Sequence, residues 1–351
     1  MSADRPSPAT GDEAVTIVVV PRDRFSSVEG CARSIIENTA DVPFKLAFLD
    51  FGYSRRTVDA LRQICAGVAC DIVPCGRTIP MDAFRRYLGQ ITTPFTCWVD
   101  NDTFVTKGWL REMVDRAERD GMKVILPLTF EREGLDIDTR RLPLRVHISH
   151  SELRKVNVDG AEYVFDYKPY RRASSEDIPA GPWMVDFFEL HTFFAATDVL
   201  RQLDFPSMVV REHVDLGIQL HRLGIPIWCV PQAEVIFDNI HTRPTIEDLR
   251  FFRFRWSDQL VDRSEALFNQ RWGWRFYNAR FLRNWAYRRR IFAMARFAWL
   301  PHRAADILSR VMVKLFRTKP APQFRADPLE RSVKALADRV APQATGMAAG
   351  S

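Results

Sequence analysis

The chain lacks the stretches that would place it in a membrane or send it across one. In 351 residues no run approaches the roughly 18 uncharged positions of a spanning helix, and residues 1–14 are polar and proline-containing, without the apolar core of a secretory signal. The expectation is a protein made and kept in the cytoplasm. Glycine is scarce, at 16 residues, and never falls into a Gly-x-Gly-x-x-Gly or Walker pattern, which argues against an ordinary dinucleotide or P-loop ATP site. The six cysteines (Cys31, Cys65, Cys70, Cys75, Cys97, Cys229) form no Cys-x-x-Cys pair and sit mostly in apolar or helical stretches. Packed free thiols in a reducing compartment follow.

Acidic residues are nearly missing from one segment. Between 271 and 319, thirteen Lys or Arg face the single acid Asp306, a local balance of +12 that leaves −6 on the rest of a chain whose net charge is +6. A mildly acidic body thus carries a basic C-terminal segment. The body has ordinary globular composition, 46% hydrophobic and 27% charged. The length exceeds the roughly 250 to 300 residues of a single core, so one large domain with appendages is expected.

Apolar, β-branched runs at 15–20, 44–49, 70–74, 95–99 and 123–130 read as strands. Helical patterns fall between them, at about 26–38 (Ser26 and Glu29 as a capping box), 56–66, 81–89 and 106–120. Strand–helix alternation of this kind predicts a mostly parallel sheet flanked by helices. Residues 131–181 are charged, alternating and poor in helix signals, and read as a hairpin or flap. Strand character returns at 183–194, a short helix at 196–203, a helix opening at 211–216, and two further strands at 225–230 and 234–238. The segments expected are a disordered leader (1–14), a catalytic domain (15–270, with halves 15–130 and 182–270 around the 131–181 insertion), a basic aromatic helical extension (271–319) and a mostly disordered tail (320–351).

The candidate site is organised around the end of the 95–99 strand, where Asp100-Asn101-Asp102 puts two carboxylates on one short loop. Open α/β sheets bind ligands at the carboxyl ends of their strands. Two hard oxygen donors there suit Mg²⁺ or Mn²⁺, whose remaining ligands come from water and substrate phosphates. The same tripeptide also makes a good turn. A second acidic cluster, Glu212-His213-Val-Asp215, opens a helix, where it suits either the helix dipole or catalysis. His241 follows the last apolar strand.

The order of these signals resembles the GT-A glycosyltransferases of glycosyltransferase family two over roughly residues 15–275. It runs from the first strand and its loop through Asp50-Phe-Gly52-Tyr-Ser54, Arg86-Tyr-Leu-Gly89, Asp100-Asn-Asp102 with Trp109, Glu212-His-Val-Asp215-Leu216 and Asn239-Ile-His241 to the Phe254-Arg-Trp256 to Arg271-Trp-Gly273 region. The resemblance implies a GT-A fold and metal-dependent, inverting transfer of a sugar from a nucleotide-sugar donor to a hydroxyl of a glycan or lipid-linked acceptor. It implies Asp100, Asp102 and His241 as ligands of Mn²⁺ or Mg²⁺, with Asp100 and Asn101 at the donor. Asp50 is implied at the base, Pro21 and Asp23 (or Arg22) on the first loop as added nucleotide contacts, and Arg86 at the nucleotide, with Arg85 as its neighbour. The general base is implied within Glu212, His213 and Asp215. The family pattern has an acid where this chain has His213, so any of the three remains a candidate.

The basic segment interleaves arginines with aromatics, and Ala304, Leu308, Val311 and Leu315 fall on one helical face. That composition suits an anionic membrane surface, packing against the body, or, as a weaker third reading, nucleic acid. The competing functions are a non-catalytic GT-A-like scaffold or binding subunit and a nucleotidyltransferase. The latter would carry a glycine-rich loop where residues 21–25 have none.

Overall fold

Strand 15–20 is β-branched at all six of its positions, and all six are buried, so it becomes the middle of a sheet. In the computed structural model, which describes residues 13–132, 145–146, 152–158, 160–167, 178–238, 243–276, 292–297 and 299–315, the chain begins β1 (Val15–Val20), α1 (Val28–Asn38), β2 (Phe44–Asp50), α2 (Arg55–Ile64), β3 (Cys70–Pro74), α3 (Pro80–Leu88) and β4 (Phe95–Asp100). It continues with β5 (Thr103–Val105), α4 (Trp109–Asp120), β6 (Val124–Arg132), β7 (Arg145–Val146), β8 (Glu152–Val158), β9 (Ala161–Tyr167), β10 (Trp183–Val185), β11 (Thr192–Ala196) and α5 (Thr197–Leu200). The last elements are α6 (Glu212–Arg222), β12 (Ile227–Asp238), α7 (Ile246–Arg255), α8 (Asp258–Trp272), β13 (Arg275–Phe276) and α9 (His302–Leu315).

The central sheet runs β10-β12-β6-β11-β4-β1-β2-β3. It is parallel at β12/β6, β4/β1, β1/β2 and β2/β3, and antiparallel where β11 enters between β4 and β6 and where β10 joins the edge. Helices flank this mixed α/β sheet, which is mostly parallel as expected. The carboxyl ends of β2, β1 and β4 therefore lie side by side, and strands about 4.8 Å apart put Asp50 roughly 10 Å from Asp100. A separate sheet, β13-β9-β8, holds the hairpin expected within 131–181.

Three boundaries differ for physical reasons. The capping box at Ser26 does not form, and α1 starts after Ser27, whose side chain makes no cap bond. The stretch 183–194 is two strands, not one, and the turn between them delivers His191 to the edge of the sheet. Conversely, 225–238 holds one long strand whose register with β6 shifts between Val230 and Glu234. A bulge of this kind bends a strand without ending it.

Helix α6 approaches the turn before β11 very closely. A Cβ built on Gly217 would stand 2.5 Å from Phe187 Cβ and 2.8 Å from the Asp186 carbonyl, so this position admits no side chain without movement. At its other end, Arg211 takes a left-handed conformation with φ 67°, the one non-glycine positive φ among the described residues. Helix α9 buries Ala305 and Ser309, leaving Leu308 and Val311 of the expected apolar face exposed together with Ile307 and Trp299. Among the described residues no helix is long and apolar enough to cross a membrane. All six cysteines are free thiols.

Candidate functional site

The loop after β1 turns back over the acidic turn because several groups hold its backbone. Asn101 accepts from the Arg22 amide through Oδ1 (3.1 Å) and donates through Nδ2 to the Arg24 carbonyl. Asp248 of α7 accepts from the amides of Phe25 and Ser26 while completing the capping box with Thr245. Asp23 accepts from Arg255 Nη1 (2.6 Å) and Trp256 Nε1 (2.7 Å). Asn101 and Asp23, expected at the nucleotide, are thus buried and spent on shaping the loop.

That shape delivers Arg22 to Asp100. The guanidinium donates to Asp100 Oδ2 at 2.7 Å and lies 3.1 Å from His191 Nδ1, with its carbon 5.5 Å from the centre of the Phe237 ring. Trp98 Nε1 donates to the other Asp100 oxygen at 2.9 Å. Burial pushes the Asp100 carboxyl up to about 7; Arg22 pulls the other way and the neighbouring Asp102 adds to the rise. Burial works against the charge on Arg22 as well, but Asp100, then Asp23 and Asp102, outweigh it. Asp102 is fully enclosed, and its carbonyl accepts from the Asp238 amide at 2.9 Å. Burial lowers the pKa of Arg24, against the attraction first of Asp102 and then of Asp23.

Asp50, at the end of β2, accepts from the amides of Gly52 (2.8 Å) and Tyr53 (2.6 Å), which fixes a turn at the same edge. Arg86 is exposed on α3 and reaches the Cys75 carbonyl beyond β3 at 3.5 Å, while Arg85 pairs with Asp82 at 3.2 Å. Both Asp50 and Arg86 are therefore placed at the sheet edge but outside the cleft.

A narrow cleft is lined by Pro21, Arg22, Trp98 and Asp100 from one side and by Met208, Val209, Glu212 and Arg255 from the other. It brings the two acidic clusters together through one member of each. Glu212 Oε1 lies 3.7 Å from Arg255 Nη2, and its buried Oε2 accepts no hydrogen bond. Asp215 is different. Its carboxylate accepts from Arg271 Nε (2.7 Å) and Nη2 (3.1 Å), from Trp272 Nε1 (2.7 Å) and from Gln219 Nε2 (2.6 Å), so no oxygen is left for an acceptor's proton. His213 does not line the cleft and instead faces Glu189 at 3.9 Å. Of Glu212, His213 and Asp215, Glu212 is the one that lines the cleft.

His191 and Arg255 are absent from the sequence-based set. Arg255 had a signal: with Phe251 and Phe252 it falls on the buried face of α7, and an arginine at a core position needs partners. His191, within an apolar run, carried no such mark. His241 lies outside the described residues.

Among the described residues no three or more His, Cys, Asp or Glu side chains converge as a metal site. The acidic turn nevertheless has the chemistry for one. It offers two hard carboxylates held together by the fold, one driven up by burial and by its neighbour, which is a pair that added positive charge would relieve.

Residues 16–178 match the family model "Glycosyl transferase family 2". The matched span runs from β1 through the acidic turn to the β8/β9 hairpin and stops short of α6. No curated protein matches the chain. Among solved structures, GalNAc-T7 with UDP, GalNAc and Mn²⁺ is similar over 69% of this chain and 48% of its own, at 10% identity and a TM-score of 0.49. The chain thus spans about half the length of that relative. The mannosyltransferase PcManGT from Pyrobaculum calidifontis, in complex with GDP-Man and Mn²⁺, is similar over 95% of this chain and 81% of its own, at 12% identity and a TM-score of 0.45.

Proposed function

We propose that the protein transfers a sugar from a nucleotide-sugar donor to a hydroxyl of a glycan or lipid-linked acceptor, with inversion at the anomeric carbon. The observation that carries this reading is the single cleft shared by Asp100 and Glu212, which lie far apart in the chain. A displacement at a sugar needs charge control on the departing diphosphate and a proton acceptor on the opposite side, and the cleft has one acidic cluster for each.

Asp100 and Asp102, with His241 as the expected third ligand, would hold Mn²⁺ or Mg²⁺. When bound there, such an ion supplies Lewis-acid stabilisation of the leaving group, about several kcal/mol. The chain's own residues do the rest. Asp50 and Pro21 contact the nucleoside at the edge of β2 and β1, and Arg86 reaches the same edge. Glu212 Oε2 takes the acceptor hydroxyl's proton as that oxygen bonds to the anomeric carbon and the bond from this carbon to the phosphate oxygen breaks. General-base help of this kind is worth about 10²- to 10⁴-fold. Arg255 positions the glutamate.

The test is turnover of a panel of UDP- and GDP-sugars with Mn²⁺ or Mg²⁺. Asp102→Asn is expected to lower turnover at least about 100-fold with the fold retained by circular dichroism. Undiminished turnover sinks the assignment of the acidic turn.

The exposed Trp299, Ile307, Leu308 and Val311, beside Arg303 and Arg310, support peripheral attachment to an anionic membrane surface as part of the same reading. Deleting residues 299–351 is expected to release the protein from anionic vesicles while nucleotide binding persists. Equal co-sedimentation of the truncated protein would refute the attachment.

A further inference from the structure

We propose that Arg22 is a built-in counter-cation of the acidic turn: it holds Asp100 in the resting protein, disfavours a divalent ion presented alone, and gives way when a diphosphate arrives to take the guanidinium. This rests on the reading of the cleft as the donor site.

Three observations support it. First, Asp100 is held from two directions, with Arg22 Nη1 on Oδ2 at 2.7 Å and Trp98 Nε1 on Oδ1 at 2.9 Å. An ion ligating Oδ2 at about 2.1 Å would meet the guanidinium within a few ångströms in a buried setting, where repulsion between cations is poorly screened. Second, the guanidinium is held in place rather than by chance. The backbone amide of Arg22 donates to Asn101, its Nη1 lies 3.1 Å from His191 Nδ1, and its guanidinium carbon lies 5.5 Å from the centre of the Phe237 ring. Third, Arg22 has donor capacity to spare. Its Nε is buried without a hydrogen-bond partner, and the residue lines the cleft that would receive the phosphates. A guanidinium binds phosphate oxygens in a two-pronged fork, so a diphosphate offers Arg22 an alternative to Asp100 at little reorganisation.

An ion and a diphosphate that each remove the other's obstacle must bind cooperatively, and by linkage the coupling is equal in both directions. The experiment titrates the full chain with Mn²⁺ alone, and with Mn²⁺ in the presence of UDP or GDP, following bound ion by electron paramagnetic resonance and correcting for ion–nucleotide complexes in solution. In the wild type, nucleoside diphosphate is expected to tighten Mn²⁺ at least about 10-fold, within the usual range of such couplings. In Arg22→Gln, Mn²⁺ alone is expected to bind about 10-fold tighter than in the wild type, and the coupling falls to within about threefold. Arg22→Lys keeps the charge and stays near the wild type for Mn²⁺ alone.

Equal affinity of wild type and Arg22→Gln for Mn²⁺ alone overturns the proposal. So does nucleotide binding without coupling in the wild type, a measurement that needs no variant to fold. Failure of every nucleotide to bind under any condition overturns the donor-site reading, and this proposal with it.

Discussion

The acidic turn after β4 and the first turn of α6 each carry two carboxylates separated by one or two residues, yet the fold uses them in opposite ways. After β4 both acids are enclosed beside buried arginines, and the turn works as a unit whose charge is balanced from outside it. On α6 the two acids part company. Asp215 points into the body, where Arg271, Trp272 and Gln219 fill both oxygens, and Glu212 points into the cleft with one oxygen uncommitted. Spacing alone does not part them, since residues three apart on a helix lie within about 60° of one another around its axis; the partners do, because Arg271, Trp272 and Gln219 draw Asp215 into the body. Two carboxylates near one another in sequence are therefore no guide to a shared task.

The sharpest way to break this contrast is Glu212→Gln. Turnover of a sugar nucleotide is expected to fall about 10²- to 10⁴-fold while donor binding, read by calorimetry, stays within about threefold. Retained turnover would move the base elsewhere. Asp215→Asn should act on stability instead. Leaving Arg271 without its full partner costs about 2–4 kcal/mol, below the roughly 3–5 of a fully enclosed pair because Arg271 is about a quarter exposed. Denaturant unfolding measures it, and a stable variant with abolished turnover would reverse the roles assigned to the two acids. The smallest effect belongs to His213→Ala, for which turnover and stability within about threefold and 1 kcal/mol are expected. A large loss of turnover there would bring the imidazole back as the base.

The parallel half of the sheet could be read from the sequence because its strands are short, β-branched and separated by amphipathic helices, so period and propensity agree. Asp100, Asp102 and the cluster from Glu212 to Asp215 are marked by their places at the ends of such elements, without a choice among Glu212, His213 and Asp215, and Asp50 is marked by the family resemblance. Antiparallel β11 could not be foreseen, since nothing in Thr192–Ala196 marks direction, and His191 came with it. Nor could the fates of Asn101, Asp23 and Asp215. Each is a polar side chain whose partners come from remote segments, and only the fold decides whether such a group faces a ligand or another part of the chain.

Gly217 gives α6 a role that its acidic end does not reveal. Because the helix at Gly217 rests directly on the Asp186 carbonyl and on Cα and Cβ of Phe187, the distance from Glu212 to the acidic turn is set by what is missing on the helix's far side. One methyl group at that position would work as a shim, tilting the helix and altering the gap between Glu212 and the acidic turn without touching either. The width of the cleft is in this sense a property of its back wall, and variation in substrate size among related chains would be sought there as well as among the residues that line it.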